Sequence, residues 1–205
     1  MSNPLGVILA GGLSRRMGGN EKSFLDLNGK TLISHVCDHL IKQVPDIIIN
    51  ANGDASRFTN LKKPVVVDTV EGYAGPLAGI LAAMRWAQEN HDASQIITVA
   101  ADTPFFPDGY TQKMQSQFAD TNSNIALATS NGNRHPVFGM WRVDLAEKLE
   151  AFLVDENQRK VMLFVQRHAH CFVEFNGNDP DPFFNINTPD DLETARKFTE
   201  ESKTA

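Results

Sequence analysis

The residues best suited to chemistry lie in the first two dozen positions of this chain. The stretch Leu9-Ala-Gly-Gly-Leu-Ser-Arg-Arg-Met-Gly-Gly-Asn-Glu-Lys22 combines glycines with three cations, Arg15, Arg16 and Lys22. Glycines let backbone N–H groups come close to a phosphate, and the cations neutralise it. Ser14 adds a hydroxyl donor. The spacing is neither that of a Walker A loop nor that of G-x-G-x-x-G, yet the composition is what a nucleoside triphosphate needs. Lys22 runs into the apolar positions Phe24, Leu25 and Leu27, which should anchor it to the core. Further on, polar residues close three apolar runs: Asn50, Asp68 and Asp102. Asp102, stopped by Thr103-Pro104, is a fitting ligand for Mg²⁺, which takes one or two carboxylates together with substrate phosphates and waters. Alone, each such residue does no more than start a turn. Several of them at one sheet edge, beside a Gly-rich loop, would converge on one crevice.

The elements that must position these residues are legible as alternating apolar runs and helical periodicities. Leu5–Ala10, Asp46–Asn50, Pro64–Asp68 and Gln95–Asp102 read as strands. Thr31–Val44, with Leu32, Val36 and Leu40 at helical spacing, and the Ala- and Leu-rich Leu77–Glu89 read as helices. Strands that are apolar throughout and alternate with helices predict a mainly parallel sheet covered on both faces. Beyond this, 124–129 and 136–141 read as a hairpin-like strand pair around Ser130-Asn-Gly-Asn-Arg134. Leu145–Leu153 and Lys160–Arg167 read as helical, and Cys171–Phe175 as a strand. Pro189–Glu200 reads as a helix with Thr188 as N-cap and Asp190-Asp191 in its first turn.

The second half offers a further group of candidates. Asn133-Arg-His-Pro136 sets two possible cations before a strand, and Arg159-Lys160 sets two more at a helix start. Asn185 and Asn187 place two amides on one side of an extended segment. Together these predict a second anion pocket. The glycines of Gly75-Pro-Leu-Ala-Gly79 either admit a nucleobase or ribose against backbone or merely punctuate a helix entry with Pro at N1. The His168-Ala-His170 pair lacks a third ligand and reads as surface.

Composition narrows the classes. The chain has 205 residues, 41% hydrophobic and 21% charged, with a formal net charge of -6. That is ordinary for a globular domain with a substantial core. An acidic chain without a broad basic face argues against nucleic acid as partner. No run approaches the ~20 apolar residues of a membrane span. Cys37 and Cys171 are far apart and show no metal-site spacing, which fits reduced thiols, at least one of them packed as an apolar group, and a cytoplasmic protein.

With Lys22 following it, the first loop resembles the triphosphate loop of the sugar-nucleotide and cofactor nucleotidyltransferases. Three more segments make the resemblance narrower: Gly75-Pro-Leu-Ala-Gly-Ile80, Asp102-Thr-Pro-Phe-Phe-Pro107 and Asn185-Ile-Asn-Thr-Pro-Asp-Asp-Leu192. They are similar to the molybdenum cofactor guanylyltransferase (MobA) family, over roughly residues 5 to 197. The resemblance implies a three-layer, Rossmann-like α/β fold with a mainly parallel central sheet. It implies one nucleotidyltransferase domain over 1–205, its N-terminal half a GTP site and its C-terminal half a molybdopterin site. The implied activity is transfer of GMP from GTP to the molybdenum-bearing pterin, releasing pyrophosphate, with Mg²⁺ as cofactor. The alternative is the related cytidylyltransferase or another NTP-dependent nucleotidyltransferase. By resemblance, Leu9, Ala10, Gly11, Lys22, Asn50, Asp68 and Asp102 bind GTP, with Asp102 on the metal. Lys22, Asp102 and Arg15 are the implied catalytic residues, and Arg159, Lys160, Asn185 and Asn187 the implied pterin contacts. A molybdenum-insertion protein and a molybdoenzyme chaperone are the implied protein partners.

Overall fold

The run Leu5–Leu9 forms β1, buried along its whole length, as a strand covered on both faces must be. A computed structural model describes residues 3–11, 22–70, 75–177 and 181–201. After β1 the described chain resumes in one 3-10 turn at Lys22–Phe24. A small hairpin follows, β2 (Asp26–Leu27) and β3 (Lys30–Thr31), whose turn residues Asn28 and Gly29 both take positive φ. Helix α1 (Leu32–Leu40) is capped by the Thr31 side chain, which accepts the Ser34 N–H. The expected extension to Val44 is instead a turn ahead of Pro45, which cannot continue a helix.

Strands β4 (Ile47–Asn50), β5 (Val65–Val66), β6 (Gln95–Ala100), β7 (Ile125–Ser130), β8 (Asn133–Arg142) and β9 (His170–Glu174) join β1 in a seven-stranded sheet. The order is β5-β4-β1-β6-β8-β7-β9. Only β8 runs against its neighbours; the β4, β5, β6 and β9 pairings are otherwise parallel. The mainly parallel sheet read from the apolar strands is therefore present. Helices α2 (Pro76–Asn90), α4 (Ala146–Val154) and the short α5 (Val161–Val165) pack on the face carrying Leu5, Val7 and Ile96. Helix α1 and α3 (Tyr110–Asp120) pack on the face carrying Ile8, Ile49 and Val99, which completes three layers. Helix α6 (Pro189–Glu201) lies on a smaller cluster with Leu27, Leu32 and Ile186. Its first turn is capped as expected, the Thr188 hydroxyl accepting the Asp191 N–H at 3.1 Å. Helix α3 has no counterpart among the sequence expectations. Its buried positions Tyr110, Met114 and Phe118 are spaced four apart, but polar residues separate them and dilute the apolar signal.

The ladder of the sheet is interrupted along β8. The β7–β8 hairpin turns at Asn131-Gly132, both at positive φ, as a two-residue turn matching strand twist requires. Along β8, Gly139 pairs with Leu127 but His135 pairs with the very next residue, Ala128, so Pro136, Val137 and Phe138 bulge out of the ladder. Pairing with β6 also stops at Thr98–Gly139. The fully buried Thr98 hydroxyl stands in for the lost ladder bonds. It donates toward the Val137 carbonyl at 2.6 Å and accepts from the Gly139 N–H at 3.2 Å and Trp141 Nε1 at 3.3 Å. Replacing it by Val keeps the shape and removes every one of these bonds. We expect Thr98→Val to cost about 2–3 kcal/mol, seen as a melting temperature lower by about 4–12 °C in a chain of this size. An unchanged melting temperature would show that the bulge holds without the hydroxyl.

Candidate active site

The parallel register brings the strand ends level. Leu9 pairs with Asn50 on one side and with Ala100 on the other, and Asn50 pairs with Val66. From β1 the chain moves outward to β4 and β5, then returns through α2 to β6 on the other flank of β1. Such a reversal opens a crevice at the carboxyl ends of the strands. Leu9, Ala10, Gly11, Asn50, Asp68 and Asp102 lie at or just past strand ends on this edge. Backbone bonds continue past the strands, from Ala10 N–H to Asn50 O at 2.9 Å and from Ala101 N–H to Leu9 O at 3.1 Å. Gly12 to Glu21, and with them Arg15 and Arg16, lie outside the described residues.

Asn50 organises one side of the crevice. Its buried amide donates to Val66 O at 3.2 Å and to Asp68 Oδ1 at 2.9 Å. Asn52 grips the other carboxylate oxygen, donating to Asp68 Oδ2 at 2.7 Å, while its own Oδ1 accepts the Asp68 N–H at 3.0 Å. Both oxygens of Asp68 are therefore fixed by amides, and the carboxylate is aimed. Sequence reasoning passed over Asn52; the Asn-x-Asn spacing after a strand was the available signal. Gly79, in the first turn of α2, packs directly against Asn50. A Cβ there would sit 2.1 Å from Asn50 Oδ1. Gly75 takes φ +71 at the helix entry and Pro76 begins the helix. The helix-entry reading of this segment thus holds at Gly75 and Pro76, and the close neighbour of Gly79 is the Asn50 side chain.

Asp102 and Lys22 form the other side. Burial pushes the Asp102 carboxyl above the ordinary range, opposed by the Lys22 cation, its own N–H and Thr103. Lys22 Nζ donates to Asn187 Oδ1, from the segment that precedes α6. The same segment ties to the Asp102 backbone through Ile186 N–H, at 3.0 Å from Asp102 O. Asp191 locks it, its Oδ2 accepting the N–H groups of Asn187 at 2.9 Å and Thr188 at 2.8 Å. Burial pushes the Asp191 carboxyl up, but these bonds and Lys22 outweigh it and hold it below the usual range. Among the described residues no three His, Cys, Asp or Glu side chains gather as a metal site. A half-buried carboxylate on the crevice edge suits a hard divalent cation, which would fill its remaining positions with phosphate oxygens and water.

The expected second anion pocket is dispersed. Asn187 faces Lys22, on the first site. Asn185 lines a cleft of about 160 Å³ beneath the β8 bulge, together with Ala100, Thr103, Arg134, His135 and Phe183. Arg159 and Lys160 are exposed ahead of α5, whose Phe164 and Val165 pack on the α2 and α4 side of the sheet, and neither lines this cleft. Of the four, Asn185 alone meets Arg134 and His135 there. The cleft begins at Ala100 and Thr103 and so adjoins Asp102. His168 and His170 bond backbone carbonyls through Nδ1, at 2.9 Å each. Cys37 is buried in the core, as one of the two thiols was expected to be.

Residues 6–171 match the family described as MobA-like NTP transferase domain. The chain belongs to the MobA-like NTP transferase family. A Mesorhizobium japonicum protein named molybdenum cofactor guanylyltransferase is 43% identical over 196 residues, covering 94% of both chains. A protein of the same name from a Bradyrhizobium species is 44% identical over 194 residues, covering 94% of this chain and 92% of its own. The crystal structure of molybdopterin-guanine dinucleotide biosynthesis protein A from Archaeoglobus fulgidus has the same fold, with a TM-score of 0.73 at 22% identity, over 96% of this chain and 99% of its own. Membership of the MobA-like NTP transferase family makes this chain a nucleotidyltransferase. No helix among its described residues is long and apolar enough to cross a membrane.

The raised Asp102 carboxyl carries a stability consequence with a definite sign. Its folded-state pKa lies above the unfolded value, so its contribution to stability is complete below the unfolded pKa and is lost as pH rises through the folded one. At neutral pH the ionised side chain thus weighs against the free protein. Asp102→Asn should raise the melting temperature of the nucleotide-free protein at pH 7.5. The gain should shrink as pH falls toward the ordinary carboxylate range. A variant less stable than its parent at neutral pH would overturn this reading.

Proposed function

We propose that this protein transfers GMP from GTP to the terminal phosphate of molybdenum-bearing molybdopterin, giving the guanine dinucleotide and pyrophosphate. The observation that carries the reading is the convergence of the Leu9–Gly11 strand end, the aimed Asp68 and the half-buried Asp102 on one crevice, in a chain 43% identical to a named guanylyltransferase. Leu9, Ala10, Gly11, Asn50 and Asp68 would hold the nucleoside, and Lys22 and Arg15 the triphosphate. Arg159, Lys160, Asn185 and Asn187 are the proposed pterin contacts, with Asn187 acting through Lys22. The reaction is placed in the cytoplasm, ahead of delivery to a molybdenum-insertion protein and a molybdoenzyme chaperone.

Little covalent chemistry is asked of the side chains. The acceptor phosphate monoester has a second pKa near 6 and is already largely dianionic at neutral pH, so it needs no base. One of its oxygens attacks the α-phosphorus of GTP. A new P–O bond forms as the bond from the α-phosphorus to the α,β-bridging oxygen breaks, and pyrophosphate departs with the electron pair. Asp102 would hold Mg²⁺, which would supply charge neutralisation to the triphosphate. Lys22 stabilises the charge that grows on the α-phosphoryl and leaving groups, and the segment around Asn187 and Asp191 fixes where that cation stands.

Incubation with Mg²⁺, the pterin and equimolar GTP and CTP should yield the guanine dinucleotide and stoichiometric pyrophosphate; a cytosine product would overturn the base assignment. Lys22→Ala and Asp102→Ala should fold and lose at least about 100-fold in turnover, and parent-like transfer in either removes its role. Gly79→Ala, which must displace Asn50, should weaken GTP binding about tenfold, or ~1.4 kcal/mol. Unchanged affinity by calorimetry would place the nucleoside elsewhere.

A further inference from the structure

The cleft beneath the β8 bulge contains a histidine whose tautomer is fixed. Ser130 Oγ donates to Asp181 Oδ2 at 2.7 Å, which uses its single proton. His135 Nε2 lies 2.6 Å from that same Ser130 oxygen. The hydroxyl has no proton left to give, so Nε2 is the donor and carries the hydrogen. Asp181 is itself immobilised, its Oδ1 accepting the Phe183 N–H at 2.8 Å and its Oδ2 also accepting from Asn131 Nδ2 at 3.0 Å. The relay therefore runs from imidazole to hydroxyl to carboxylate. That is the reverse of a nucleophile triad, in which the imidazole withdraws the hydroxyl proton, and it excludes Ser130 as an activated nucleophile.

The fixed tautomer leaves Nδ1 with a lone pair and no proton. Burial pulls the His135 pKa below its ordinary value, against the opposing charges of Asp181 and Glu174, so the ring is neutral at physiological pH. Nδ1 has no hydrogen-bond partner among the described residues, and it is not among the buried unpaired polar atoms, so it reaches solvent. An unprotonated ring nitrogen can only accept. A phosphate dianion has no proton to offer, so a ligand group bound against Nδ1 would have to be an N–H or O–H. The surrounding walls suit a flat ring. Phe183 lies 4.5 Å from the imidazole, centroid to centroid, and Pro136 and Phe138 line the same cleft. The cleft meets Asp102 through its neighbours Ala100 and Thr103, which places such a ring on the acceptor side of the metal and triphosphate.

We propose that His135 orients the acceptor, its Nδ1 accepting a hydrogen bond from an N–H of the pterin heterocycle, with Ser130 and Asp181 as the positioning residues that fix the tautomer. This rests on the guanylyltransferase reading. The test measures steady-state transfer with molybdenum-bearing molybdopterin and GTP·Mg²⁺, and GTP affinity by calorimetry. His135→Ala should raise the acceptor KM about tenfold, the worth of one unmade hydrogen bond, and leave the GTP dissociation constant unchanged. His135→Asn, whose Oδ1 stands near the position of Nδ1, should recover most of the loss. Ser130→Ala, which frees the tautomer, should fall between. In ¹⁵N spectra of the parent at pH 7.5, the His135 Nε2 should be protonated and Nδ1 bare. An acceptor KM unchanged in His135→Ala, an Asn variant no better than Ala, or a protonated Nδ1 would each overturn the assignment while the parent still makes the dinucleotide. A parent that makes no dinucleotide would instead remove the underlying reading, and this one with it.

Discussion

The parallel pairing of β1 with β4 and β6 sets Leu9 level with Asn50 and with Ala100, and the chemistry of this chain depends on that register. Side chains alternate faces along a strand, so a slip of one residue in either pairing would turn Asn50 out of the crevice and put an apolar neighbour in its place. The register is in turn over-determined. Leu5, Val7 and Ile48 must face α2 while Ile8, Ile47 and Ile49 must face α1, and all are buried. Burial on both faces leaves a parallel strand one admissible alignment. The polar residues at the strand ends are thereby delivered to one edge without any contact of their own having to specify it.

The same edge is reached a second time from the far end of the chain. Ile186 and Asn187 return to bond Asp102 O and Lys22, 84 and 165 positions earlier, and Asp191 locks the returning segment to the start of α6. The two cation-bearing and metal-competent groups of the crevice are therefore held partly by residues from the end of the chain. Beside the β8 bulge the sheet is held open rather than closed. The Thr98 hydroxyl satisfies the backbone of the bulge, and Tyr110, fully buried, donates to Thr98 O at 3.0 Å from α3. A sheet that paired β6 and β8 along their whole length would bury the cleft beside Asp102.

What could be read from sequence divides along a physical line. Asn50, Asp68 and Asp102 were legible because a buried parallel strand is an apolar run and its end is marked by the first polar residue. The Asn131-Gly132 hairpin was legible because a two-residue turn demands positive φ. Groups whose meaning lies in a long-range partner were not. The bond of Asn187 to Lys22, 165 positions earlier, has no local signature. Arg159 and Lys160 read as neighbours of Asn185, yet they sit ahead of α5 and outside the cleft that Asn185 lines. The Ser130–Asp181 bond spans 51 positions and has no local signature. Asn52 was overlooked for the opposite reason: an exposed Asn beside a glycine reads as turn chemistry until the Asp68 backbone and carboxylate are seen to close on it.

These arrangements share one economy of design. Several groups that face the crevice and its neighbouring cleft are held by neutral amides and hydroxyls that restrict their motion. Asp68 is fixed by two asparagines, Lys22 by an asparagine, and the His135 ring by a serine. Amides and hydroxyls orient without adding net charge, so the crevice keeps its capacity to attract the oppositely charged group that completes it. Asp102 is the exception that clarifies the rule: half-buried, its carboxyl raised by desolvation, it lacks a full set of neutral partners. A carboxylate left short of partners in a low-dielectric setting gains most when a cation arrives. On the proposed reading, a cation bound at Asp102 would offset a desolvation cost that folding alone leaves in place.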